Sequence, residues 1–262
     1  MTALKRILLV GDGAGLPRLI EALGNTQICG LMAASDRPQY HPNLQKLSSE
    51  LDLPLLIQPS RKSEDFPQFL EKLKELNANT LICFCYSMLI GREILQTVSW
   101  NAVNIHYSLL PRNRGPNPVQ WSLIKDEKTT GITLHIMDEG LDSGPILTQS
   151  QIEIAENDTW VTLMERLDRM APHFLRKNLS AFLDGQLIAT PQAQHLMTKN
   201  FRLTPNYPLI DFARMSDRQI YNLIRAQVAP LAGAYLDQDG KRRHLSSWVS
   251  MLEVAKMREY YS

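Results

Sequence analysis

The first half of the chain alternates between short apolar runs and segments with a helical repeat. KRILLV (5–10) reads as a buried strand, and GDGAGLPRLIEALG after it as a glycine turn entering a helix. ICGLMAAS (28–35) reads as a second strand and LQKLSSELDLPLL as a helix followed by a strand. FPQFLEKLKELN (66–77) places Phe66, Phe69, Leu70 and Leu73 on one helical face. NTLICFCYS (79–87) is a further buried strand, and AVNIHYS (102–108) a short one. Strands alternating with helices predict an open, mostly parallel sheet with helices on both faces.

Beyond residue 130 the pattern changes. GITLHIM (131–137) and GPILTQSQIEI (144–154) read as two strands joined by DEGLDS. DTWVTLMERLDRMAPHFLRKNLSAFLDG reads as one long helix or a helix pair, with Asp158 as the N-cap and Gly185 as the stop. PQAQHLMTKNFRLTPNYPLIDF is a Pro-rich polar linker. SDRQIYNLIRAQ (216–227) is a capped helix, and GAYLDQDGKRRHLSSWVSM a β-hairpin turning at Asp239-Gly240. The expected architecture is α/β: a Rossmann-like domain over 1–196, and a small C-terminal region over 197–262 made of linker, helix and β-hairpin.

Composition narrows the class. The 262 residues are 44% hydrophobic and 21% charged, ordinary for a soluble domain. A formal net charge of +1 argues against a phosphate-gripping protein, so no nucleic acid partner is expected. No apolar run reaches the ~18 residues of a membrane span, and the first apolar run is too short for a signal peptide. The expected compartment is the cytoplasm. Cys83 and Cys85 lie in an apolar strand and read as reduced thiols. His41, His173, His195 and His244 are scattered, and Asp138-Glu139 lacks calcium-loop spacing, so no metal is expected.

The chemistry concentrates between Asn104 and Ile146. Asn104 and His106 are two apart, which on a strand end points both side chains to one face. Asp142 follows in the loop-like DEGLDSG. An amide, an imidazole and a carboxylate suit acyl transfer to an amine. His135 alternates out of step with Ile132, Leu134 and Ile136, and reads as a strand-end or supporting residue. Ser108 has no G-x-S-x-G setting and is not expected to be a nucleophile. Arg112 and Arg114 are the nearest cations, either a clamp for a phosphate or carboxylate, or surface residues. GDGAG at 11–15 is not the G-x-G-x-x-G fingerprint, although Asp36 stands about where a ribose-binding acid falls. A tight turn lining a substrate pocket is the preferred reading, with an NAD- or nucleotide-binding module as the non-enzymatic alternative.

Asn104-Ile-His106, Ser108-Leu-Leu-Pro111, Arg114-Gly115, Thr130-Gly131-Ile-Thr133 and Met137-Asp-Glu-Gly-Leu-Asp142-Ser-Gly144 together resemble the formyltransferases that use 10-formyltetrahydrofolate. That family includes enzymes acting on methionyl-tRNA, on glycinamide ribonucleotide and on amino sugar nucleotides. The resemblance covers roughly residues 5–190 and extends weakly to Leu209-Ile-Asp211-Phe212 and Ile224-Arg225-Ala226. It implies that Asn104, His106 and Asp142 are catalytic. Asn104 and protonated His106 then stabilise the developing oxyanion, and Asp142 holds His106 or a water. It also implies a reduced-folate pocket shaped by Tyr86, Ser87, Met88, Leu89 and Ile90, and by Asp138, Glu139, Gly140 and Leu141. 10-Formyltetrahydrofolate is the implied co-substrate, without a metal.

The acceptor is argued from departures. SDRPQYHPNLQKL is short and nearly neutral where the tRNA enzymes carry a longer basic loop, and little more than a hairpin follows Ala232 where they carry a full barrel. Trp121 in a P-x-Q-W run and the Ile-Asp-Phe segment set the chain apart from glycinamide ribonucleotide enzymes. An amino sugar nucleotide is therefore expected, contacting Gly11, Asp12, Gly13, Ser108, Leu109, Arg114 and Trp121. Tyr107 stands where the family usually has Pro or Gly and bears on the acceptor side. The chain starts directly at its first strand, unlike deformylating hydrolases, which usually carry a regulatory domain there. The C-terminal hairpin, with Trp248 and Met251, and the Tyr260-Tyr261 tail read either as a homodimer surface or as packing on their own domain.

Overall fold

A computed structural model describes residues 5–24 and 27–261. Seven strands form a single sheet: β1 (Ile7–Val10), β2 (Ile28–Ala34), β3 (Leu55–Gln58), β4 (Thr80–Phe84), β5 (Ala102–His106), β6 (Thr129–Ile136) and β7 (Ile146–Glu153), in the order β3-β2-β1-β4-β5-β6-β7. The pairs β1–β2, β2–β3, β1–β4 and β4–β5 are parallel, and β5–β6 is antiparallel. The fold is the expected Rossmann-like α/β sheet with helices on both faces.

The strand sequences explain the layering. All of β1 and β4 is buried, with no polar alternation, as strands covered on both faces require. Leu8, Val10, Leu81 and Cys83 pack with Phe66, Phe69 and Leu73 of α3 (Phe66–Glu75) and with Ile94 and Leu95 of α4 (Arg92–Thr97). Ile7 and Leu9 alternate to the other face, and α1 (Gly15–Leu23) packs on β1 and β4. Strand order reverses between β1 and β4, where ligand sites form in such sheets. Gly11 and Gly15 make that point possible. A Cβ there would lie 2.5 and 2.2 Å, respectively, from the Phe84 carbonyl oxygen, so only glycine lets the first turn close against the end of β4.

The chain folds as two compact units. One takes in residues up to His106, Thr133–Gln149 and Ala171–Gln194; the other takes in Tyr107–Ile132, Ser150–Met170 and the chain from His195. The second unit thus gathers the C-terminal region anticipated from residue 197 with two segments from the middle of the chain. Its core joins Ile220, Tyr221, Leu223 and Ile224 of α7 (Asp217–Arg225) to Ile210, Phe212, Ala234, Leu236 and Val254. Helix α7 opens with a capping box between Ser216 and Gln219. The hairpin of β8 (Ala234–Gln238) and β9 (Lys241–Leu245) turns at Asp239 and Gly240, whose φ values of 52° and 76° mark a type I′ turn.

Three helices depart from the sequence expectation. Helix α4 and α5 (Pro118–Ile124) are six and seven residues long, too short to show a period, and neither was among the expected elements. In α8 (Met251–Tyr261) only Val254 is buried, so no apolar stripe announces it. The earlier α2 (His41–Glu50) matches the expected helix. The long helix is single, α6 (Trp160–Leu183), with Pro172 inside it. Its cap is Thr159, whose hydroxyl accepts the Thr162 N–H at 3.3 Å. Asp158, expected as the cap, accepts instead from the Ala155 N–H at 2.8 Å, from the Thr162 hydroxyl at 3.0 Å and from Arg166. Gly185 does end the helix, with φ 68° and the Gln186 N–H bonded to the Ala181 carbonyl at 2.9 Å.

Candidate active site

Strand β5 delivers two polar side chains to one face because its alternation buries Val103 and Ile105 on the other. Antiparallel β6 sets His135 opposite Asn104 and Thr133 opposite His106. The loop after β6 brings the carboxylate. Asp138 Oδ1 accepts the Gly140 N–H at 3.0 Å and the Ser143 hydroxyl at 2.7 Å. Gln192 Nε2–H donates to the Asp142 carbonyl at 2.9 Å and the Gly144 carbonyl at 2.7 Å. A Cβ on Gly144 would meet the Ile136 carbonyl oxygen at 2.0 Å, so the loop returns to the strand only at a glycine.

These tethers bring the three expected residues together. Asn104 Nδ2–H donates to Asp142 Oδ1 at 3.3 Å, and His106 Nδ1 stands 3.7 Å from Asp142 Oδ2. The second distance exceeds a direct hydrogen bond but lies within ion-pair reach. His135 is a fourth member: its Nε2 lies 3.2 Å from Asn104 Nδ2 and 3.6 Å from Asp142 Oδ1. His106 and His135 are 8% and 2% exposed, so these groups meet where water screens little. Spacing alone could not show that His135 faces Asn104, because that depends on the β5–β6 register. Gln192 gave no sequence signal: it sits 50 residues from the loop it ties.

The two runs expected to shape a folate pocket are both in this unit. Gln58, at the end of β3, clamps the first: its Oε1 accepts the Tyr86 hydroxyl at 2.8 Å, and its Nε2–H donates to the Leu89 carbonyl at 3.1 Å. Burial raises the Tyr86 phenol above its ordinary pKa, so it stays a neutral donor. Ser87 N–H and Oγ–H each lie 3.0 Å from Asp12 Oδ2, and Ser87 Oγ also contacts Asp36. Met88 Sδ accepts the Ser35 hydroxyl at 3.7 Å, and Ile90 is buried in the core. Leu89 and Leu141, one on each run, are 60% and 44% exposed. Arg92 and Glu139 pair between the runs at 3.4 Å.

The residues expected on the acceptor side have different fates. Asp12 is nearly buried, and its other carboxylate oxygen accepts the Ala34 N–H at 3.0 Å, so both oxygens hold backbone. Gly11 packs against β4. Gly13 has φ 49° and borders a cavity of about 510 Å³ lined by Ala14, Tyr40, Asn43 and Lys46 among others. In the second unit, the Ser108 hydroxyl donates to the Arg112 carbonyl at 2.8 Å, and Leu109 is half-buried. Arg114 is 3% exposed, which removes the surface reading for it, whereas Arg112 is exposed. Trp121 is buried against the Phe201 and Tyr207 rings, and its indole N–H donates to the Phe201 carbonyl at 3.0 Å. Among the described residues no His, Cys, Asp or Glu cluster is arranged for a metal ion, and no helix is long and apolar enough to cross a membrane.

Fold and cluster define a Rossmann-like α/β protein with an amide, an imidazole and a carboxylate gathered at a strand end. Residues 19–179 match the formyl transferase family, and the chain belongs to that family. It is 35% identical over 199 residues to the methionyl-tRNA formyltransferase of Thermodesulfovibrio yellowstonii, covering 76% of this chain and 63% of that protein. The chain therefore spans less than two thirds of that relative's length. A sugar N-formyltransferase structure from Shewanella sp superposes with a TM-score of 0.72 at 20% identity, covering 94% of this chain and 98% of the other. The formyltransferase PseJ from Anoxybacillus kamchatkensis, solved with UDP-4,6-dideoxy-4-formamido-L-AltNAc and tetrahydrofolate, is 25% identical, with a TM-score of 0.50 over 74% of this chain and 85% of that one.

Proposed function

We propose that the chain transfers a formyl group from 10-formyltetrahydrofolate to the amine of a nucleotide-linked amino sugar. The observation that carries the transfer reaction is the convergence of Asn104, His106 and Asp142 on a strand end in a formyl transferase chain. The folate supplies the activated formyl carbon. Loop 86–90, clamped by Gln58, and loop 138–142, tied by Gln192, hold the pterin between Leu89 and Leu141. Negative charge develops on the formyl oxygen as the amine attacks, and a protonated His106 imidazole stabilises it by donating a hydrogen bond. Asp142, within ion-pair reach of His106, accepts the proton leaving the amine, and the folate N10 takes up a proton from His106 as its bond to the formyl carbon breaks and tetrahydrofolate leaves.

The sugar nucleotide acceptor rests on the near-neutral loop after β2, on the overall charge of +1 and on the sugar nucleotide bound in the PseJ relative. A second reading, formylation of methionyl-tRNA, is favoured by the name of the 35% identical relative. The test is a formyl-transfer screen with 10-formyltetrahydrofolate against 3-amino and 4-amino dideoxy sugar nucleotides, initiator methionyl-tRNA and glycinamide ribonucleotide. Product from a sugar nucleotide supports the proposal. Formylation of the tRNA alone moves the acceptor to the second reading, and no formyl transfer to any acceptor overturns both.

A further inference from the structure

His135 belongs to no part of the transfer step described above, yet it is nearly buried beside Asn104. Its Nδ1 lies 2.8 Å from the Ile136 carbonyl oxygen. A carbonyl only accepts, so Nδ1 carries the proton. On the other side, Asn104 Nδ2 sits 3.3 Å from a carboxylate oxygen of Asp142. A carboxylate likewise only accepts, so the amide must turn its NH₂ group, not its oxygen, towards Asp142. The same NH₂ group is 3.2 Å from His135 Nε2. That contact is attractive only if Nε2 is an unprotonated acceptor, which the Nδ1–H tautomer provides. Asp142 thus dictates the amide orientation, and that orientation calls for an acceptor at His135 Nε2.

We infer that His135 is a positioning residue: its neutral Nδ1–H tautomer grips one N–H of Asn104 and fixes which way the amide faces. The second Asn104 N–H rests on Asp142 at 3.3 Å, near the long limit for a hydrogen bond. With one N–H anchored at His135, the amide cannot flip, and its second N–H stays on the site side, where it rests on Asp142 and is offered to the formyl oxygen. Asn104 can then join His106 as a donor without losing its place. Without the anchor, rotation about the Asn104 side chain lets the carbonyl oxygen face the site, where it repels the oxyanion. This deepens the formyl-transfer reading and rests on it for its kinetic consequence, but the tautomer itself does not depend on that reading.

The test separates the two ring nitrogens. His135→Asn keeps a donor near the Nδ1 position and removes the acceptor; His135→Gln places an amide oxygen near the Nε2 position. His135→Asn should lower kcat on the order of 10²-fold with the KM for the folate little changed, as for a misplaced catalytic group. His135→Gln should recover most of that loss. Added to Asn104→Ala, His135→Asn should cost little more, because both act through one contact. Nitrogen-15 spectra of the histidines, with His135 assigned by its loss in His135→Gln, should show Nδ1 protonated and Nε2 bare. Losses that add in the double variant, a His135→Gln as impaired as His135→Asn, or a protonated Nε2 each overturn the inference. A wild-type protein inactive on every acceptor, but with the expected tautomer, refutes the formyl-transfer reading and leaves the positioning contact standing.

Discussion

The polar groups of the strand-end site and those of the second unit are both buried, but they are held differently. In the second unit Arg225 is 1% exposed, and its Nη1–H donates to the carbonyls of Ala155, Glu156 and Asp158 while its Nε–H donates to Asn222. Arg218 reaches both Asp126 and Glu156. Both arginines have acceptors at hydrogen-bond length. At the strand end the side chains stand further apart: the Asp142 carboxylate faces His106 and His135 at 3.7 and 3.6 Å, and the Asn104 Nδ2–H reaches it at 3.3 Å. Satisfied networks fix a fold, while groups placed precisely but bonded loosely can exchange a partner for a ligand.

That contrast can be broken most forcefully at His106. His106→Ala should lower the formyl-transfer rate on the order of 10²–10³-fold, the usual cost of losing an oxyanion donor, while the urea midpoint barely moves. Arg225→Ala should do the reverse. Three carbonyls lose their donor in a buried site, at a cost of about 3 kcal/mol, read by urea unfolding. Any loss of activity should then follow the unfolded fraction.

Gln192→Ala probes the boundary between the two regimes, because it removes a structural tether from a catalytic loop. The two lost hydrogen bonds predict about 1–2 kcal/mol of destabilisation, with a fall in kcat larger than the fall in folded protein. Equal falls in both would mean the tether serves stability alone.

The smallest effect concerns acid. Burial would raise the Asp126 carboxyl, but the hydrogen bonds from Arg218, Asn222 and Lys128 outweigh it and bring the pKa down to about 2 from 3.8. A folded pKa below the unfolded one stabilises the folded state above about pH 4, and that contribution is lost as the pH falls through about 2. Asp126→Asn should therefore flatten the stability–pH curve between those values in urea titrations. An unchanged slope would contradict the network's role.

How much of this was legible in the sequence follows from range. Buried strands such as Ile7–Val10 and Thr80–Phe84 announce themselves because burial on both faces leaves an unbroken apolar run. The hairpin turn at Asp239-Gly240 and the cap at Ser216 are local chemistry and were readable for the same reason. The helices of six and seven residues were not, since fewer than two turns carry no period. Asn104 and His106 share a face by simple alternation, so their juxtaposition was visible. The place of His135 depends on the β5–β6 register, and those of Gln58 and Gln192 on contacts 31 and 50 residues away, which no local pattern encodes. Asp158 was misread as a cap because the sequence shows a capping residue type at the right place without showing that Thr159 fills the position.

The central claim is that the strand-end cluster carries folate-dependent formyl transfer. The most direct measurement is the rate of tetrahydrofolate formation from 10-formyltetrahydrofolate with a panel of amino sugar nucleotides, for the wild type and His106→Ala side by side. The account predicts acceptor-dependent turnover in the wild type and a loss on the order of 10²-fold or more in the folded variant. Turnover that survives the substitution, or a wild type that releases no tetrahydrofolate with any acceptor, would contradict it.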